Sequence, residues 1–586
     1  MKKAILTGNE AIARGAYEHG VKVAAAYPGT PSTEILENIT KYDEIYAQWS
    51  CNEKVALEVG IGSSVAGART LVAMKHVGVN VAADPLMTFA YTGVNGGLVL
   101  ISADDPGMHS SQNEQDNRRF AKFAKVPLLE PSDSQEAKDF VGAALDLSEQ
   151  FDVPVMVRTT TRIAHSMSEV TLGERGEAGL KPYNKSSQKY VMIPAYARIR
   201  HQLLEEKLVE LQKYSQESLL NRIEWGDPEI GVITSGICYQ YVKEALPEAS
   251  CLKLGMPYPF PEKLVREFAA GVKKLYVVEE LEPFLEEEVK VLGLEVVGKE
   301  IFPLTGEINA SMILEKIGGK EKPAPLELTD YSLEEIPMRP PVMCAGCPHR
   351  GVFYTLKKLD LIVTGDIGCY TLGCLPPLDS MDTCICMGAS IGTALGMEKA
   401  DPKLKGRVVA VIGDSTFFHS GLTGTLDIVY NLGSSTLIIL DNRTTAMTGH
   451  QDHPGTGRTL KKEPGDPADL EGIVRALGID RVVVADPLNL EEVERVVSEE
   501  IVAQESSVII FRKPCALMVK EKGAPAQVDE DECVYCTNCI DLGCPAMVND
   551  TKAEEVRVTQ EQCTGCGMCI QVCDFDAIKK AGEAGE

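Results

Sequence analysis

Long apolar runs and positive charge are scarce in this sequence, and each scarcity excludes a class of protein. No run of about 18 apolar residues occurs, so no membrane-spanning helix is predicted. The 58 Lys and Arg are outnumbered by 85 Asp and Glu, and a net charge of −27 argues against a nucleic-acid-binding surface. The N-terminus, Met1 to Gly8, lacks the apolar core and cleavage site of a signal peptide. We therefore expect a cytoplasmic protein that binds neither membrane nor nucleic acid.

Cysteine is rare in the first 340 residues and frequent after them. Of the 18 cysteines, only Cys51, Cys238 and Cys251 come before position 340. In a large chain without a signal peptide, clustered cysteines indicate metal binding rather than disulfides. Metal centres are therefore expected in the later part of the chain.

Strands that alternate with helices predict a multi-domain α/β protein with parallel sheets. Apolar strand patterns occur at Leu98–Ser102, Val153–Arg158, Val408–Ile412 and Thr436–Leu440, and a helix is predicted over 200–222. Two linkers are predicted, at Gly318–Pro341 and at 513–530. These two linkers and the start of the helix at 200 divide the chain into four parts: 1–200, 201–330, 331–525 and a cysteine-patterned module at 526–586.

The last module repeats a cysteine pattern typical of two-cluster ferredoxins. Three cysteines spaced two residues apart can hold one face of an iron–sulfur cube, and the fourth ligand comes from the other repeat. The spacing assigns one [4Fe–4S] cluster to Cys533, Cys536, Cys539 and Cys573, and a second to Cys563, Cys566, Cys569 and Cys544. Structural zinc is the alternative, although zinc sites use separated cysteine pairs rather than triplets. The wider gap before Cys544 and the Asp574 that replaces a usual proline leave a three-iron cluster open.

Two strand ends carry polar residues that resemble the motif of thiamine-diphosphate enzymes. Gly413-Asp414-Ser415 follows one predicted strand, and Asn442 and Thr444 follow the next. Mg²⁺ prefers hard oxygen ligands, which a carboxylate of Asp414, an amide oxygen of Asn442 and the carbonyl of Thr444 would supply for a bound diphosphate. Ser415 and Asp441 replace a glycine and an asparagine of the usual motif, and an ordinary turn is the alternative.

Two helical segments resemble the parts of these enzymes that face the cofactor's pyrimidine ring. Met387-Gly388 opens a small-residue helix, where a bulky residue such as Met387 would prop the bent cofactor. Glu58 begins a segment rich in glycine and serine, and by this resemblance it is the activating glutamate at a helix start. The alternative for the first segment is an ordinary helix packed in the core. The alternative for the second is that Glu58 only interacts favourably with the helix dipole.

Together, five longer segments resemble the alpha subunits of indolepyruvate ferredoxin oxidoreductases over essentially the whole chain. The segments are Gly8–Gly15, Tyr27–Glu34, Cys344–Gly351, Gly365–Tyr370 and Thr444–Gln451. The resemblance implies a pyrimidine-binding domain, a transketolase-C-terminal-like domain, a diphosphate-binding domain and a ferredoxin-like module. It also implies a smaller beta subunit on another chain, in a heterodimer or a heterotetramer.

The resemblance further implies the reaction and some of its residues. Thiamine diphosphate would form an ylid and then an enamine, aryl-pyruvates would lose CO₂, and coenzyme A would accept the aryl-acetyl group while iron–sulfur clusters pass single electrons to ferredoxin. Thr30 matches a substrate-contacting threonine, with a plain turn hydroxyl as the alternative. Cys344, Cys347, Cys369 and Cys515 match the ligands of a third, proximal [4Fe–4S] cluster, with buried free thiols as the alternative.

Three other functions stay open from the sequence. The chain could act on another class of 2-oxoacid, it could be a non-oxidative decarboxylase with a vestigial tail, or it could be an electron-transfer protein on a degenerate enzyme scaffold.

Overall fold

The computed structural model describes residues 2–319 and 340–582, so most of the predicted linker Gly318–Pro341 lies outside the described residues. The chain forms two compact units, Met1–Thr329 and Asp330–Glu586. In the described ranges, no helix is long and apolar enough to span a membrane.

The first unit starts with a parallel α/β domain. Its strands are β1 Lys2–Thr7, β2 Val23–Ala26, β3 Tyr46–Trp49, β4 Thr70–Lys75, β5 Leu98–Asp104, β6 Leu128–Leu129, β7 Val155–Thr160 and β8 Met167–Leu172. Its helices are α1 Gly8–Glu18, α2 Thr33–Ile39, α3 Glu53–Val65, α4 His76–Val81, α5 Ala83–Thr92, α6 Asn117–Ala124, α7 Ser134–Phe151 and α8 Thr161–His165. Six strands form one sheet in the order β3-β2-β4-β5-β7-β6, with all neighbours parallel. The central strands β4, β5 and β7 are buried on both faces, as expected for a parallel sheet covered by helices.

Helix α3 begins earlier than the sequence pattern suggested. A helix over Val59–Arg69 is predicted, whereas the structure has Glu53–Val65. The reason is Asn52, whose side chain accepts a hydrogen bond from the Val55 N–H at 2.9 Å and so caps the helix six residues before Glu58. Glu53, not Glu58, therefore stands in the first turn.

A second domain completes the first unit. Its strands are β9 Asn221–Glu224, β10 Asp227–Ser235, β11 Ala249–Leu254 and β12 Lys274–Val278. Its helices are α9 Ser187–Tyr190, α10 Pro194–Glu217, α11 Cys238–Ala245, α12 Glu262–Ala270, α13 Phe284–Val291 and α14 Ala310–Lys316. The sheet order is β12-β10-β11-β9, and only β9 runs antiparallel to its neighbour. The predicted helix 200–222 corresponds to α10, but α10 starts at Pro194, because proline suits the first helical position, and ends at Glu217, so that residues 221 and 222 belong to β9.

Arg118 links the two domains of the first unit through buried charges. Its guanidinium donates to Asp116 and, at 2.7 Å, to Glu279 beside the second sheet. It also donates to the carbonyl oxygen of Glu280 at 2.9 Å. All three side chains are almost fully buried, so none can turn to water if a partner is lost.

Replacing Arg118 by leucine is expected to destabilise the first unit strongly. Removal of one partner from a buried ion pair costs about 3–5 kcal/mol, because the other charges stay buried and uncompensated. Arg119 is the matched control: it pairs with Glu282 and Glu287 at the surface, so Arg119→Leu should cost no more than about 1 kcal/mol. Thermal unfolding of both variants checks this, and equal shifts would contradict it.

The second unit contains another parallel sheet. Its strands are β13 Ile362–Gly365, β14 Thr383–Cys384, β15 Val408–Gly413, β16 Thr436–Asp441, β17 Arg481–Ala485 and β18 Ser507–Arg512. Its helices are α15 His349–Lys358, α16 Ala389–Ala400, α17 Asp414–Thr416, α18 Leu422–Tyr430, α19 Leu470–Ala476 and α20 Leu490–Ile501. The order is β14-β13-β15-β16-β18-β17, and all pairs are parallel. Alternate residues of β15 enter two separate cores: Val409 and Val411 on one face, Ala410 and Ile412 on the other.

A small cysteine-rich module follows in the same unit. It consists of β19 Ala526–Val528, β20 Met547–Asp550, β21 Glu555–Val558, α21 Met568–Gln571 and β22 Ile578–Lys580. β19 pairs with β22 and β20 with β21, both antiparallel. The predicted linker 513–530 is therefore partly structured, because Ala526–Val528 finds a strand partner about 50 residues later.

Candidate active site

In the first unit, three neighbouring strands end at one edge of the sheet and carry polar residues there. Thr30 follows β2, Glu53 follows β3, and Lys75 is the last residue of β4. Because β2 lies between β3 and β4 and all three are parallel, these residues share the carboxyl edge. Ligands of open parallel sheets bind at this edge.

The Thr30 turn is held by its own backbone and side chains. The Gly29 N–H donates to Thr33 Oγ1 at 2.9 Å, and Asn9 Nδ2 donates to the Pro31 carbonyl at 2.7 Å. Thr30 itself is half-buried. These contacts leave the position of the Thr30 backbone well defined beside the sheet edge.

The predicted activating residue, Glu58, is not at the start of its helix. It lies in the second turn of α3, its side chain is 45% exposed, and it forms an ion pair with Lys54. Glu53 occupies the first helical turn instead and is 5% exposed. A Cβ atom added at Gly78 would lie 2.8 Å from Glu53 Oε1, so the glycine makes room for this carboxylate. Sequence reasoning missed Glu53, although Asn52 before it is a standard helix-start signal.

In the second unit, Asp414 and Asn442 lie at the ends of two adjacent strands. β15 and β16 are parallel neighbours, so the residues that follow them lie side by side. Asp414 is 3% exposed, and its Oδ2 accepts a hydrogen bond from the Arg443 N–H at 2.9 Å. Asn442 Oδ1 accepts from the Thr444 N–H at 3.2 Å. One carboxylate and one amide oxygen thus lie beside the Thr444 backbone, which is a donor set suited to Mg²⁺.

Two histidines touch this pair of residues, and the sequence showed no role for them. His453 Nε2 lies 3.1 Å from Asp414 Oδ2, and His349 Nε2 lies 3.4 Å from Asn442 Nδ2. Burial lowers the pKa of His349 to about 4. Neutral His349 can therefore accept a hydrogen bond from the Asn442 amide, which directs the amide oxygen away from it.

The departures from the usual motif have structural explanations. Asp441 accepts a hydrogen bond from Arg512 Nε at 2.7 Å, so it anchors the strand end. Ser415 Oγ accepts from Thr445 Oγ1 at 2.8 Å and joins the two strand ends. Gly413 is required by packing, since a Cβ there would lie 2.7 Å from the Tyr370 ring.

The Met387-Gly388 segment is held by a carboxylate that sequence reasoning did not assign. Asp366 accepts hydrogen bonds from the Gly388 N–H at 2.9 Å and from Ser390 Oγ at 3.1 Å. Burial raises the pKa of Asp366 to about 6. Gly388 has a positive φ of 87°, and a Cβ there would lie 2.5 Å from Ser420 Cβ. Asp366 follows Gly365 at the end of β13, the same strand–Gly–Asp signal that marks Asp414.

The two predicted tail clusters correspond to two separate cavities. Cys533, Cys536, Cys539 and Cys573 line one of about 360 Å³, together with apolar residues such as Val556 and Ile578. Cys544, Cys563, Cys566 and Cys569 line the other, of about 400 Å³. Each cavity is thus lined by the three closely spaced cysteines of one repeat and by the fourth cysteine of the other repeat. Among residues 2–319 and 340–582, no group of three or more His, Cys, Asp or Glu is arranged for a single metal ion.

The four cysteines assigned to a proximal cluster also come together. Cys347 lies near Cys344 and Cys369, and Cys369 lies near Cys515. Burial raises the pKa of Cys347 to about 12 and that of Cys369 to about 11. A metal centre would bind them as thiolates. Of the other nearby cysteines, Cys384 places its Sγ 3.5 Å from the Asp366 carbonyl oxygen, which fits a packed thiol.

Comparison with known families assigns three parts of the chain. Residues 14–217 match the family described as pyruvate flavodoxin/ferredoxin oxidoreductase, thiamine diphosphate-binding. Residues 366–511 match the C-terminal TPP-binding domain of thiamine pyrophosphate enzymes, and residues 556–579 match the 4Fe-4S binding domain. These matches, with the parallel sheets and the cysteine module, define a thiamine-diphosphate-dependent 2-oxoacid ferredoxin oxidoreductase.

Curated relatives narrow the class further. The indolepyruvate oxidoreductase subunit IorA of Archaeoglobus fulgidus is 42% identical over 99% of this chain and 98% of its own length. The corresponding subunit of Methanothermobacter thermautotrophicus is 43% identical over the same shares. The chain belongs to this indolepyruvate oxidoreductase subunit family, as its sequence landmarks predicted. A solved 2-oxoglutarate:ferredoxin oxidoreductase from Magnetococcus marinus is similar to 54% of this chain and 65% of its own, with 17% identity and a TM-score of 0.46.

Proposed function

We propose that this chain oxidatively decarboxylates aryl-pyruvates such as indolepyruvate and passes the electrons to ferredoxin. Coenzyme A accepts the acyl group, which yields an aryl-acetyl-CoA and CO₂. The substrate is inferred from the names of the relatives, each of which is called an indolepyruvate oxidoreductase subunit. The word "subunit" in these names also supports a smaller beta subunit as the partner of this chain.

One observation supports the oxidative reaction: the cysteines assigned to the proximal cluster lie next to residues assigned to the cofactor site. The Cys515 N–H donates to the Asn442 carbonyl oxygen at 3.0 Å. Cys347 stands two residues before His349, whose ring meets the Asn442 amide. An iron–sulfur cluster on these cysteines would therefore stand directly beside the bound cofactor, where it can accept single electrons.

The second cavity continues the path from the proximal cysteines. Gly346, which lies between Cys344 and Cys347, lines this cavity together with Cys566. A Cβ at Gly346 would come 2.1 Å from Thr564 Oγ1, so only glycine allows the two cysteine loops to pack this closely. We infer that electrons move from the proximal cluster to the cluster of Cys544, Cys563, Cys566 and Cys569, and then to the cluster of Cys533, Cys536, Cys539 and Cys573.

The chain's own residues have separate tasks in this proposal. Bound thiamine diphosphate supplies the nucleophilic carbon and the electron sink for decarboxylation. Asp414, Asn442 and Thr444 hold the magnesium, with Gly413 and Ser415 in the turn beside it. Met387 and Gly388 face the cofactor, and Thr30 contacts the substrate. A glutamate of α3 would hydrogen-bond the pyrimidine ring of the bound cofactor. The sequence pointed to Glu58, but Glu53 is the buried one at the helix start.

Cys573→Ser and Cys544→Ser are expected to remove different clusters. Each serine replaces the fourth ligand of one cube, so each variant should lose about one to four irons per chain, according to whether a three-iron cluster survives. Cys573→Ser should perturb the cluster of Cys533, Cys536 and Cys539 and leave the other intact. Electron paramagnetic resonance and iron analysis of both variants check this.

Cys384→Ser is the matched control and should keep the full iron content. Loss of the same cluster signal in Cys573→Ser and Cys544→Ser would contradict the crossed assignment. Zinc in place of iron and sulfide would contradict the clusters altogether.

The reaction is tested with the protein purified anaerobically together with its beta subunit. Indolepyruvate and coenzyme A should reduce ferredoxin, and the protein should contain thiamine, iron and sulfide. Decarboxylation that needs no electron acceptor would favour a non-oxidative enzyme. The absence of thiamine would favour an electron-transfer protein. A faster reaction with an aliphatic 2-oxoacid would show that aryl-pyruvates are not the preferred substrates.

A further inference from the structure

Lys75 is a buried cation at the sheet edge that carries Thr30 and Glu53. It is the last residue of β4 and is 8% exposed. A Cβ added at Gly29 would lie 3.1 Å from Lys75 Cβ, so the lysine stem packs directly under the turn that presents Thr30. The stem of Lys75 therefore lies beside the turn that holds Thr30, and its ammonium lies at the Ser110 carbonyl oxygen.

Lys75 differs from the other buried lysines in having no close counter-ion. Lys138 pairs with Glu18 at 2.8 Å, and Lys253 pairs with Glu136. Within the described residues no carboxylate lies within 4.0 Å of Lys75, whose Nζ donates only to the carbonyl oxygen of Ser110. Burial lowers its pKa to about 8, opposed by the more distant Asp105.

Asp105, the carboxylate that raises the pKa of Lys75, already accepts other hydrogen bonds. Asp105 Oδ2 accepts hydrogen bonds from the Ser110 N–H at 2.8 Å and from Ser111 Oγ at 2.6 Å, and Asp105 Oδ1 accepts from Thr161 Oγ1 at 2.6 Å. A buried ammonium without a counter-ion is unfavourable, and an anionic ligand that reached it would relieve this cost. Uncompensated charges of this kind are concentrated at functional sites.

We propose that the Lys75 ammonium binds the carboxylate of the 2-oxoacid substrate. This inference rests on the proposed function, because it names the group that recognises the acid end of that substrate. A single point charge on a side chain whose stem packs against the turn of Thr30 suits a carboxylate. The diphosphate is assigned to the Asp414 and Asn442 site and needs no second cation here.

Loss of Lys75 should weaken substrate binding more than it slows turnover. The ammonium meets the carboxylate in the bound substrate, and that charge disappears as CO₂ leaves, so the contact stabilises the substrate more than the transition state. A charged hydrogen bond of this kind corresponds to about 10- to 100-fold in affinity.

The test compares Lys75→Gln and Lys75→Met with the wild type, each assembled with its beta subunit. The KM for indolepyruvate should rise about 10- to 100-fold, with a smaller change in kcat. The probes are indole-3-propionate and its neutral amide: wild type should bind the acid more tightly, and the variants should lose that preference. Lys138→Gln, which also removes a buried lysine charge, should leave KM unchanged.

The outcomes separate this inference from the proposed reaction. If the wild type binds the acid and the amide with equal affinity, the Lys75 assignment is wrong. It is also wrong if KM is unchanged in both Lys75 variants. If wild type prefers the acid through Lys75 but does not oxidise indolepyruvate, the reaction is wrong and the carboxylate site stands.

Discussion

Glu53→Gln is expected to lower kcat by about 10²- to 10⁴-fold, the usual contribution of a positioned acid–base group. Glutamine keeps the shape of the side chain in its buried place beside Gly78, but it cannot exchange a proton. Thiamine content and iron–sulfur absorbance should not change. The direct measurement is the rate at which bound thiamine exchanges its C2 proton with deuterated water, which should fall in parallel with kcat.

Glu58→Gln is the matched control for this prediction, since it lies on the same helix. Its exposed pair with Lys54 contributes little to stability, so activity should stay within about twofold. A severe loss in Glu58→Gln together with an active Glu53→Gln would restore the assignment made from sequence. Near-normal exchange in both variants would exclude a glutamate of α3 as the activator.

Asp414→Asn is expected to abolish magnesium-dependent cofactor binding. The Asp414 carboxylate is the only formal negative charge in the proposed donor set, and Mg²⁺ strongly prefers such hard oxygens. Even outer-shell partners of metal ligands typically contribute 10- to 100-fold, so loss of this ligand should weaken Mg²⁺ binding by more than about 100-fold. Thiamine content after purification and calorimetric Mg²⁺ titration measure the effect.

Asp441→Asn provides the comparison at the same sheet edge. Asp441 is equally buried, but it pairs with Arg512 and Arg443. The substitution restores an asparagine of the usual motif, so the variant should retain magnesium and thiamine while it loses some stability. Full cofactor retention in Asp414→Asn, or its loss only in Asp441→Asn, would contradict the proposed metal site.

The comparison of Glu58 with Glu53 shows where sequence reasoning stopped. The glycine- and serine-rich segment correctly indicated a helix, but it did not show which glutamate begins it. That depends on the cap from Asn52 and on burial against Gly78, a residue of another helix. Asp366 and Lys75 were missed for a related reason. Each is a single polar residue at the end of a strand, and only its neighbours in space show which groups it contacts.

The sequence by itself determined the α/β class and the family, with its thiamine-diphosphate-binding and iron–sulfur parts. These follow from local signals, because strand periodicity, strand-end motifs and ligand spacing lie within short segments. Only the tertiary structure decided which glutamate is buried, why Asp441 and Gly413 take their places, and that Cys515 is bonded to the Asn442 backbone. Those facts depend on contacts between residues far apart in the chain, which no short segment records.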